Sequence, residues 1–578
     1  MKSLNHLFFG LVLGIILTVN FAFAADTKRA PDKKPQTPFN IKITAWGPNQ
    51  ETIEAAKKRV ENYRDVQSVL GKTKYRLLEF NYLENESKVR ATRLPTHFQV
   101  VFYDYTNDKT IVVTNDFAGQ ETIKIREEFY QPLPSEEEFA EALKILRRDE
   151  KLVSVLTSDS TTTFRPMPPV TVLDGTTERL VNVGIDAAGN PAQNEVVSVG
   201  IKSGKTFRHK KGAPETSKAA AQNCGVRNSF QETTARGTAG QYQLTVTQNR
   251  TPLWEMLVIR PSASSGTHAS GIEIRDVRYK GKSVLKRGHA PVLNVEYPSG
   301  ACGPFRDWLF QEDAFTTPEG ATEPVEGIKL IPAGGVATTV LESGIDTGNF
   351  RGIAVYTQND ETVLVTEMQA AWYRYIMEWR FAADGTIRPR FGFGATDNPC
   401  VCATHIHHVY WRLDFDIVNP INKVFQMERG RKFLQPITTE TTRIKKPQTN
   451  RRLLIQNSNG DEAYMLVPSL SDGMVTNFGR SDLWVLKYKN VAGGSPLLNE
   501  IDDGFDAADG ECTANNGSCI NINKFINNES VFNEDVVIWY GAHFSHATDG
   551  EHLLNPERHA AVISGDHVVG PDLRPVRW

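Results

Sequence analysis

The first third of the chain combines helical and strand-like patterns of apolar residues, and this combination predicts small α/β units. Within residues 50–70, Ile53, Ala56 and Val60 recur three or four positions apart, so they fall on one face of a helix. Shorter runs that alternate apolar and polar residues, which are typical of strands, follow near residues 75–82, 98–105 and 110–115. We therefore expect a first small α/β domain over residues 40–118.

The same order repeats over residues 119–205. Ser135 and Glu138 have the spacing of a capping box, in which each side chain bonds the backbone N–H of the other residue. The helix that they would start has an apolar stripe formed by Phe139, Ala142, Leu143 and Leu146. Strand-like runs follow near residues 161–164, 179–185 and 196–201. These features predict a second small α/β domain.

Beyond a polar linker over residues 202–221, the pattern favours one large β domain over residues 222–578. Short apolar runs recur there between Gly, Asn and Pro turns, and no convincing long helix interrupts them. This spacing is typical of antiparallel sandwiches. The predicted fold class is therefore α+β for the N-terminal domains and mainly β for the rest, with a large antiparallel β-sandwich.

Length and composition fit a chain of several domains and argue against nucleic acid as its main partner. The chain has 578 residues, of which 40% are hydrophobic and 23% charged, and its formal net charge is −3. Phosphate binding needs clustered Lys and Arg. The sequence contains no long basic block of that kind.

The N-terminus has the features of an export signal. Lys2 begins a short positive region, residues 7–19 are almost all apolar, and small residues at positions 22 and 24 offer a cleavage site. We expect a signal peptide over residues 1–24 and a Lys- and Pro-rich linker over residues 25–39. The mature protein would be periplasmic or secreted and would have no membrane association after cleavage. An uncleaved membrane anchor is the alternative.

Two histidines, His405 and His407, are the clearest candidates for a metal site. Successive side chains of a strand point to opposite faces, so these two share a face with Trp411 and Leu413 and can bind one ion together. The opposite face would carry His408, Tyr410, Arg412, Asp414 and Asp416. Two core histidines whose ring nitrogens find protein partners are the alternative interpretation.

A further interpretation adds Cys400 and Cys402 to the two histidines, giving a zinc or copper site with four ligands. One short strand cannot wrap four groups tetrahedrally around an ion, which disfavours this site. Disulfides are equally compatible with the six cysteines of an exported protein. Cys400 and Cys402 cannot easily bridge each other, and Cys302 and Cys224 stay open as partners for one of them.

The segment from His405 to Asp416 resembles the copper- and topaquinone-dependent amine oxidases. It reads His-x-His, three residues, an aromatic residue, and then Arg-Leu-Asp-Phe-Asp. In that family the two histidines bind copper, so the resemblance implies that His405 and His407 are copper ligands. The acids that correspond to Asp414 and Asp416 belong there to a separate structural calcium site. The resemblance covers most of the mature chain and is weaker in the two small α/β domains.

The resemblance extends to the segment over residues 533–546, which implies the third copper ligand. Aligned without a gap, His546 falls on that ligand and Asp535 on the third carboxylate of the calcium site. His543 is the alternative ligand, but aligning it requires a three-residue deletion within a strand. We therefore prefer His546.

In this family the cofactor topaquinone is made from a tyrosine, and the matching segment runs from Trp372 to Ile387. It resembles the family's Asn-Tyr-Asp/Glu-Tyr, followed by an aromatic strand and Asp-Gly-x-Ile, which places Tyr373 on the precursor. Three neighbours depart from the pattern. Trp372 replaces the Asn that helps to orient the quinone, Arg374 replaces the acid, and Gln369 replaces a Thr. Without the resemblance, Tyr373 would be interpreted as a core tyrosine in an aromatic strand.

Residues 287–313 resemble the region that supplies the catalytic base. The resemblance implies that Tyr297 hydrogen-bonds the quinone oxygen and that Asp313 is the base, with Glu312 and Asp307 close by. Gln311 replaces the tyrosine gate that usually precedes the base. We expect Tyr373 beside the metal ligands and Asp313 across a cavity from it. A solvated loop acid is the alternative for Asp313.

The resemblance implies oxidative deamination of primary amines to aldehyde, ammonia and hydrogen peroxide. Copper and a topaquinone derived from Tyr373 would be the cofactors, with calcium at the separate site. The partners would be a small primary amine and dioxygen, and the chain would form a homodimer. The competing hypothesis is a non-catalytic relative that binds copper without forming the quinone.

Overall fold

The structure is a computed structural model. It describes residues 39–83, 94–128, 131–149, 162–168, 178–187, 195–208, 225–226, 231–266, 268–296, 305–396, 398–402, 405–430, 433–470, 472–475, 481–488, 522–546 and 569–578. The predicted signal peptide, the predicted linker up to residue 38, and Tyr297 lie outside these ranges. Within them, no helix is both long and apolar enough to cross a membrane.

In the part of the chain that the structure describes, the first element is β1 (Asn40–Ala45). The first small unit then comprises α1 (Gln50–Glu61), α2 (Arg64–Leu70), β2 (Tyr75–Leu83), β3 (His97–Asp104), β4 (Lys109–Asp116) and β5 (Lys124–Glu128). The second comprises α3 (Glu136–Leu146), β6 (Thr162–Met167), β7 (Leu180–Ala187), β8 (Glu195–Gly200) and β9 (Thr206–Arg208). Each unit has a four-stranded antiparallel sheet.

The large β domain contains the remaining described strands and short helices. Its first half comprises β10 (Gln241–Gln248), β11 (Thr251–Ile259), β12 (Glu273–Tyr279), β13 (Lys282–Glu296), β14 (Phe305–Arg306), β15 (Thr322–Val325), β16 (Ile328–Leu330), α4 (Val340–Ser343), β17 (Ile353–Gln358), β18 (Glu361–Ala370), β19 (Tyr373–Ala382) and β20 (Ile387–Ala395). Its second half comprises β21 (His405–Phe415), β22 (Ile421–Met427), β23 (Gln435–Ile437), β24 (Thr441–Arg443), β25 (Arg452–Asn457), β26 (Ala463–Val467), β27 (Leu483–Lys487), β28 (Glu534–His546) and β29 (Asp572–Arg577). One-turn 3₁₀ helices occur at Pro261–Ala263, Pro399–Cys402, Pro447–Thr449 and Ile522–Phe525.

The helices of the two small units follow the predicted patterns, with one difference. The capping box of Ser135 and Glu138 is present at the start of α3, which confirms that prediction. The single helix predicted over residues 50–70 is wrong, because it is interrupted between α1 and α2. There the Asn62 side chain donates to the Lys58 carbonyl at 2.8 Å, and Tyr63 adopts an extended conformation before α2 begins.

The domain edges differ from the sequence-based boundaries in three places. β1 pairs with β10 of the large domain, although its residues were expected in the first small domain. β5 continues the first small sheet beyond residue 118, and β9 extends the second to Arg208. The partner of β1 lies far away in sequence, and a local pattern does not specify such a partner. β5 and β9 each pair with the strand directly before them, so they extend their sheets past the expected boundaries.

The strands of the large domain form two stacked layers. The first layer has the order β1-β10-β11-β12-β13-β21-β28-β27-β24. The second has the order β15-β16-β17-β18-β19-β20-β29-β26-β25-β22-β23. Among the strand pairs described, only β16 with β17 is parallel. The mainly-β sandwich predicted from the sequence is therefore confirmed.

The main hydrophobic core lies between the two layers and positions the site. Trp379 of β19 donates its indole N–H to the carbonyl of Ile272, next to β12, at 2.9 Å. Phe391 of β20 contacts Trp411 of β21, with ring centroids 6.4 Å apart. Burial of such large apolar side chains is the main stabilising contribution to a sandwich of this kind. β19 and β21 thus face each other across the core.

Candidate metal centre

The two predicted metal ligands lie at the start of β21, in the middle of the first layer. β21 pairs with β13 on one side and β28 on the other. The side chains of His405 and His407 are 1% and 0% exposed, and their ring centroids are 4.9 Å apart. Trp411 belongs to the core between the layers, whereas Tyr410 packs in a separate cluster on the opposite face. The predicted division of β21 into two faces is confirmed.

Tyr373 begins β19 and lies beside both histidines. Its hydroxyl is 2.8 Å from Nε2 of His405. Its ring meets the ring of His407 edge-on, with centroids 4.7 Å apart. Phe393 stacks on His407 from the adjacent strand β20, at 3.9 Å between centroids. The tyrosine that the sequence singles out is therefore buried at the histidine pair, as expected.

The turn that presents Tyr373 is held by buried hydrogen bonds. Ala370 and Tyr373 are paired, so Ala371 and Trp372 form a two-residue connection, and Ala371 has a φ of 52°. Such a conformation is unfavourable for a residue with a Cβ atom. The Trp372 carbonyl accepts from the backbone N–H of Thr396 at 2.7 Å. Arg165, from β6 of the second small unit, donates to the Ala371 carbonyl at 3.3 Å. These contacts fix the start of β19 next to the histidines.

The buried carboxyl of Asp307 lies on the same side of β19 as Tyr373. Tyr375 stacks on Tyr373 with centroids 5.5 Å apart, and its hydroxyl donates to Oδ2 of Asp307 at 2.5 Å. The same hydroxyl is 3.4 Å from Nδ1 of His407. Burial raises the pKa of Asp307 to about 7, although the bond from Tyr375 opposes that shift. The sequence motif places Asp307 only as a neighbour of Asp313 and does not indicate its contact with Tyr375.

Asp313, the predicted base, does not lie across a cavity from Tyr373. Its Oδ2 atom pairs with Nε of Arg374 at 2.5 Å, and both side chains are fully buried. Arg374 follows Tyr373 directly in β19, so the two side chains point to opposite faces of the second layer. The expected geometry is therefore corrected: Asp313 pairs with Arg374 on the face of β19 that points away from the Tyr373 side chain. The arginine that replaces the family's acid supplies the physical reason.

Arg374 also binds a second acid, and a third lies close by. Asp346 accepts from Nε and Nη2 of Arg374 at 3.0 and 2.9 Å. Carboxylate oxygens of Asp313, Asp346 and Glu367 lie within 4.8 Å of one another. Burial raises the pKa of Asp313 to about 6, while Arg374 opposes the rise. Burial and the nearby Asp313 also raise the pKa of Glu367. The fourth acid of the region, Glu312, is paired with Arg260 at 2.8 Å.

The register of β28 separates the two candidates for the third metal ligand. His546 is paired with His405, and His543 with His408. The His543 side chain lies with Nδ1 2.8 Å from Nδ1 of His408 and Nε2 3.0 Å from Oδ1 of Asp482. Burial lowers the pKa of His543 to about 3, so the ring is neutral at pH 7. For His546 the structure describes only the backbone.

The three predicted calcium ligands converge where β21 ends and β28 begins. Asp414, Asp416 and Asp535 each offer a carboxylate oxygen within 4.8 Å of the others. Asp414 and Asp416 are buried and Asp535 is half-buried, so these acids do not form an ordinary solvated face. Oxygen ligands of this kind suit Ca²⁺.

The site with four ligands that includes Cys400 is wrong. Cys400 is disulfide-bonded and lies in the 3₁₀ helix before β21. A sulfur in a disulfide has no thiolate to offer a metal ion. The two histidines therefore have to find their further ligands elsewhere.

Comparisons with known proteins identify the fold. No protein-family model matches the sequence, and no curated protein matches it. The structure of a copper-containing benzylamine oxidase from Hansenula polymorpha matches with a TM-score of 0.53 and 14% identity, over 88% of this chain and 94% of that chain. Pichia pastoris lysyl oxidase gives 0.54 and 13% over 94% and 90%, and Aspergillus nidulans amine oxidase gives 0.53 and 12% over 94% and 89%.

The chain therefore has the fold of the copper amine oxidases, at a low level of sequence identity. The resemblance stated from the motifs is confirmed at the level of the fold. The side chains present also fit the cofactors that such a fold implies. Two buried imidazoles on one strand face are suitable Cu²⁺ ligands, and the hydroxyl of Tyr373 lies at hydrogen-bond distance from one of them.

Proposed function

We propose that this protein is a copper-dependent oxidase of primary amines that forms its own quinone from Tyr373. The observation that carries the proposal is the contact between the Tyr373 hydroxyl and Nε2 of His405 at 2.8 Å, within a fold shared with amine oxidases. A tyrosine converted with the help of a metal ion has to lie at that ion. Here the ring and both imidazoles meet at one buried point.

Copper would be held by His405, His407 and His546. Residues directly opposite each other in an antiparallel pair share a face of the sheet, so the pairing of His405 with His546 supports His546 as the third ligand. When bound, copper and the quinone would supply a carbonyl that condenses with the amine and a redox centre that passes electrons to dioxygen. The products would be an aldehyde, ammonia and hydrogen peroxide.

The side chains around Tyr373 would shelter and orient the reacting ring. Phe393 and Tyr375 pack against it at 5.5 Å between centroids, and Trp372 lies 6.1 Å away. This enclosure excludes water and strengthens electrostatic interactions inside the site. Trp372 takes the position of the family's orienting Asn, so here orientation would depend on packing instead of an amide hydrogen bond.

The base that removes the substrate proton has two candidates. Asp313 matches the motif, but its carboxylate is engaged by Arg374 on the far face of β19. Asp307 lies on the face of Tyr373, and its pKa of about 7 is suited to accepting a proton near neutral pH. We favour Asp307 for its position on the Tyr373 face. Tyr297 stays a prediction for the group that hydrogen-bonds the quinone.

A copper-binding protein without the quinone is the second candidate function. Its support is the pair of departures on either side of Tyr373, Trp372 and Arg374, both of which are buried. Copper ligation by histidines would survive these departures, whereas quinone formation requires the tyrosine ring to reach a productive orientation. The two functions therefore differ in the fate of Tyr373.

Export, assembly and the calcium ion belong to the same proposal. The Cys400 disulfide supports an oxidising compartment, such as the periplasm or the exterior, since disulfides persist there. The convergence of Asp414, Asp416 and Asp535 supports a structural calcium ion. The homodimer is carried over from the family resemblance alone, as are the substrates, a small primary amine and dioxygen.

Copper reconstitution in air tests the oxidase proposal. Metal-free protein is loaded with Cu²⁺ under air and then treated with phenylhydrazine, which reacts with quinone carbonyls. We expect a strong visible hydrazone band in the wild type and none in Tyr373→Phe, while both bind copper with the same stoichiometry. Phenylalanine keeps the buried ring of Tyr373 but lacks the oxygen from which oxidation starts.

The matched control is Tyr464→Phe, because Tyr464 is a fully buried tyrosine that hydrogen-bonds the Gly385 carbonyl at 2.9 Å. This variant should give the wild-type band. Copper bound at unit stoichiometry without a band in the wild type would reject the oxidase and leave the copper-binding function.

A further inference from the structure

His407 belongs to a chain of three buried polar side chains that leads away from the metal centre. Tyr375 Oη lies 3.4 Å from Nδ1 of His407 and 2.5 Å from Oδ2 of Asp307. His407 and Tyr375 are 0% exposed and Asp307 is 2% exposed. Since bulk water does not reach these atoms, their hydrogen bonds depend on one another.

The directions of these bonds determine the tautomer of His407. A tyrosine hydroxyl has one hydrogen, and the short contact to Asp307 assigns that hydrogen to the carboxyl. With the Asp307 carboxyl ionised, the oxygen of Tyr375 can then only accept from His407. The proton of the neutral imidazole therefore lies on Nδ1, and the lone pair lies on Nε2. A metal ion binds through such a lone pair.

The three residues come from both layers of the sandwich. Asp307 follows β14, and its backbone N–H donates to the Leu293 carbonyl of β13 at 2.9 Å. β13 is also the neighbour of β21, with Val295 paired to His407. Tyr375 projects from β19 in the other layer. The carboxyl is thus anchored to the strand beside the histidine, and the tyrosine closes the gap across the core.

The other buried acids near β19 are not placed for this role. Asp313 and Asp346 are bound to Arg374 on the opposite face. Glu367 is paired in register with Ile376, which also points to that face. Among the described acids around the strand, Asp307 is the one that reaches the histidine side.

We propose that Asp307 and Tyr375 are positioning residues of the metal centre, which hold His407 in the tautomer and orientation that present Nε2 to copper. This inference rests on the copper site of the proposed function but does not require the quinone. Partners of this kind raise the basicity of a ligating histidine and fix its ring orientation. Their loss should therefore weaken copper binding without removing a ligand.

Copper affinity and the electron paramagnetic resonance spectrum of bound Cu²⁺ test the proposal. We expect Tyr375→Phe and Asp307→Ala to bind Cu²⁺ about 10- to 100-fold more weakly than the wild type, with altered copper hyperfine splitting. Asp307→Asn keeps an oxygen acceptor for Tyr375, so it should restore most of the affinity. Competition with a chelator of known affinity measures each constant on the full chain.

The control is again Tyr464→Phe, which removes a buried hydroxyl bonded to the Gly385 carbonyl and should leave both readouts at wild-type values. Wild-type affinity and an unchanged spectrum in both Tyr375→Phe and Asp307→Ala would overturn the proposal. Asp307 acting only as a base would give that result together with a slower reaction with amine. Failure of the oxidase proposal can be distinguished from failure of this one. A missing hydrazone band would reject the quinone, but the order of copper affinities among the wild type and the variants would stay as expected.

Discussion

Arg374 is the residue at which this chain differs most clearly from the family pattern around the quinone precursor. It is fully buried and contacts Asp313 and Asp346, and it donates to the Tyr373 carbonyl at 3.0 Å. A buried guanidinium requires carboxylate partners to offset the loss of hydration. Arg374 thus forms an ion pair with the acid that the motif nominates as base, and it holds the backbone at Tyr373.

Replacement of Arg374 should therefore destabilise the protein strongly. In Arg374→Met, the carboxylates of Asp313 and Asp346 stay buried without their cation, and we expect a loss of about 3–5 kcal/mol in the free energy of unfolding. Urea denaturation followed by tryptophan fluorescence measures the change. Adding Asp313→Asn to the variant should recover part of the loss, because it removes one of the uncompensated charges.

The control for Arg374 is an arginine whose ion pair is exposed. Arg574 is 55% exposed and pairs with Asp572 at 2.6 Å, so Arg574→Met should cost less than about 1 kcal/mol. Equal effects of the two substitutions would contradict the structural role of the buried cluster.

How far the sequence could predict the site differs from residue to residue. Tyr373 and the histidine pair stand in contiguous motifs, so their neighbours along the chain were enough to find them. The Arg374–Asp346 contact joins positions 28 residues apart, and Asp346 lies in a loop before β17. The Asp307–Tyr375 contact spans 68 residues and both layers. No local pattern encodes such contacts, so only the fold could assign these roles.

At the scale of elements, the pairing of β21 with β28 determines which histidines can meet. His543 and His546 are separated by three positions, so they belong to opposite faces of β28. Alternation along β21 could be read from the sequence, and it predicted the two faces correctly. The register between β21 and β28, which lie more than a hundred residues apart, could not be read from the sequence. Many registers satisfy the same apolar pattern.

Copper binding by two alanine variants tests the register. His546→Ala should weaken Cu²⁺ binding strongly, because it removes a ligand. The loss should exceed the roughly 10- to 100-fold that is typical when only a residue hydrogen-bonded to a ligand is removed. His543→Ala should keep the copper affinity and lower stability by about 1–3 kcal/mol, since the buried partners of His543, His408 and Asp482, lose a hydrogen bond. Chelator competition and urea denaturation give the two quantities. The reverse order of affinities would place His543 at the metal and contradict the register.

At the scale of the whole molecule, the sequence could predict the fold class, a β-sandwich, but not which strands pair with one another in its two layers. The turn spacing beyond residue 222 indicated short antiparallel strands, and this expectation was correct. β1, at the start of the described chain, joins the large sheet by pairing with β10, which lies about 200 positions later. Pairing between strands so far apart in sequence depends on tertiary packing rather than on local propensity. Hydrogen bonds between β22 and β28 likewise connect the two layers.

Three carboxylates lie next to that connection between layers. Asp414 and Asp416 come from the end of β21, and Asp535 pairs with Ile421 of β22 at the start of β28. Like charges at this separation repel one another unless a cation neutralises them. A bound Ca²⁺ would therefore link three strands and stabilise the whole sandwich.

Addition of Ca²⁺ to chelator-treated protein should raise the melting temperature of the wild type. A ligand that binds only the folded state adds about 2.7 kcal/mol of stability at a concentration 100 times its Kd. In Asp416→Asn this gain should be largely lost, because one anionic ligand is missing, whereas Asp461→Asn, at an exposed acid elsewhere, should retain it. Differential scanning calorimetry at several Ca²⁺ concentrations measures the three responses. A wild-type melting temperature that does not change with Ca²⁺ would show that the three acids are stabilised in another way. Equal gains in all three proteins would place the ion outside this cluster of acids.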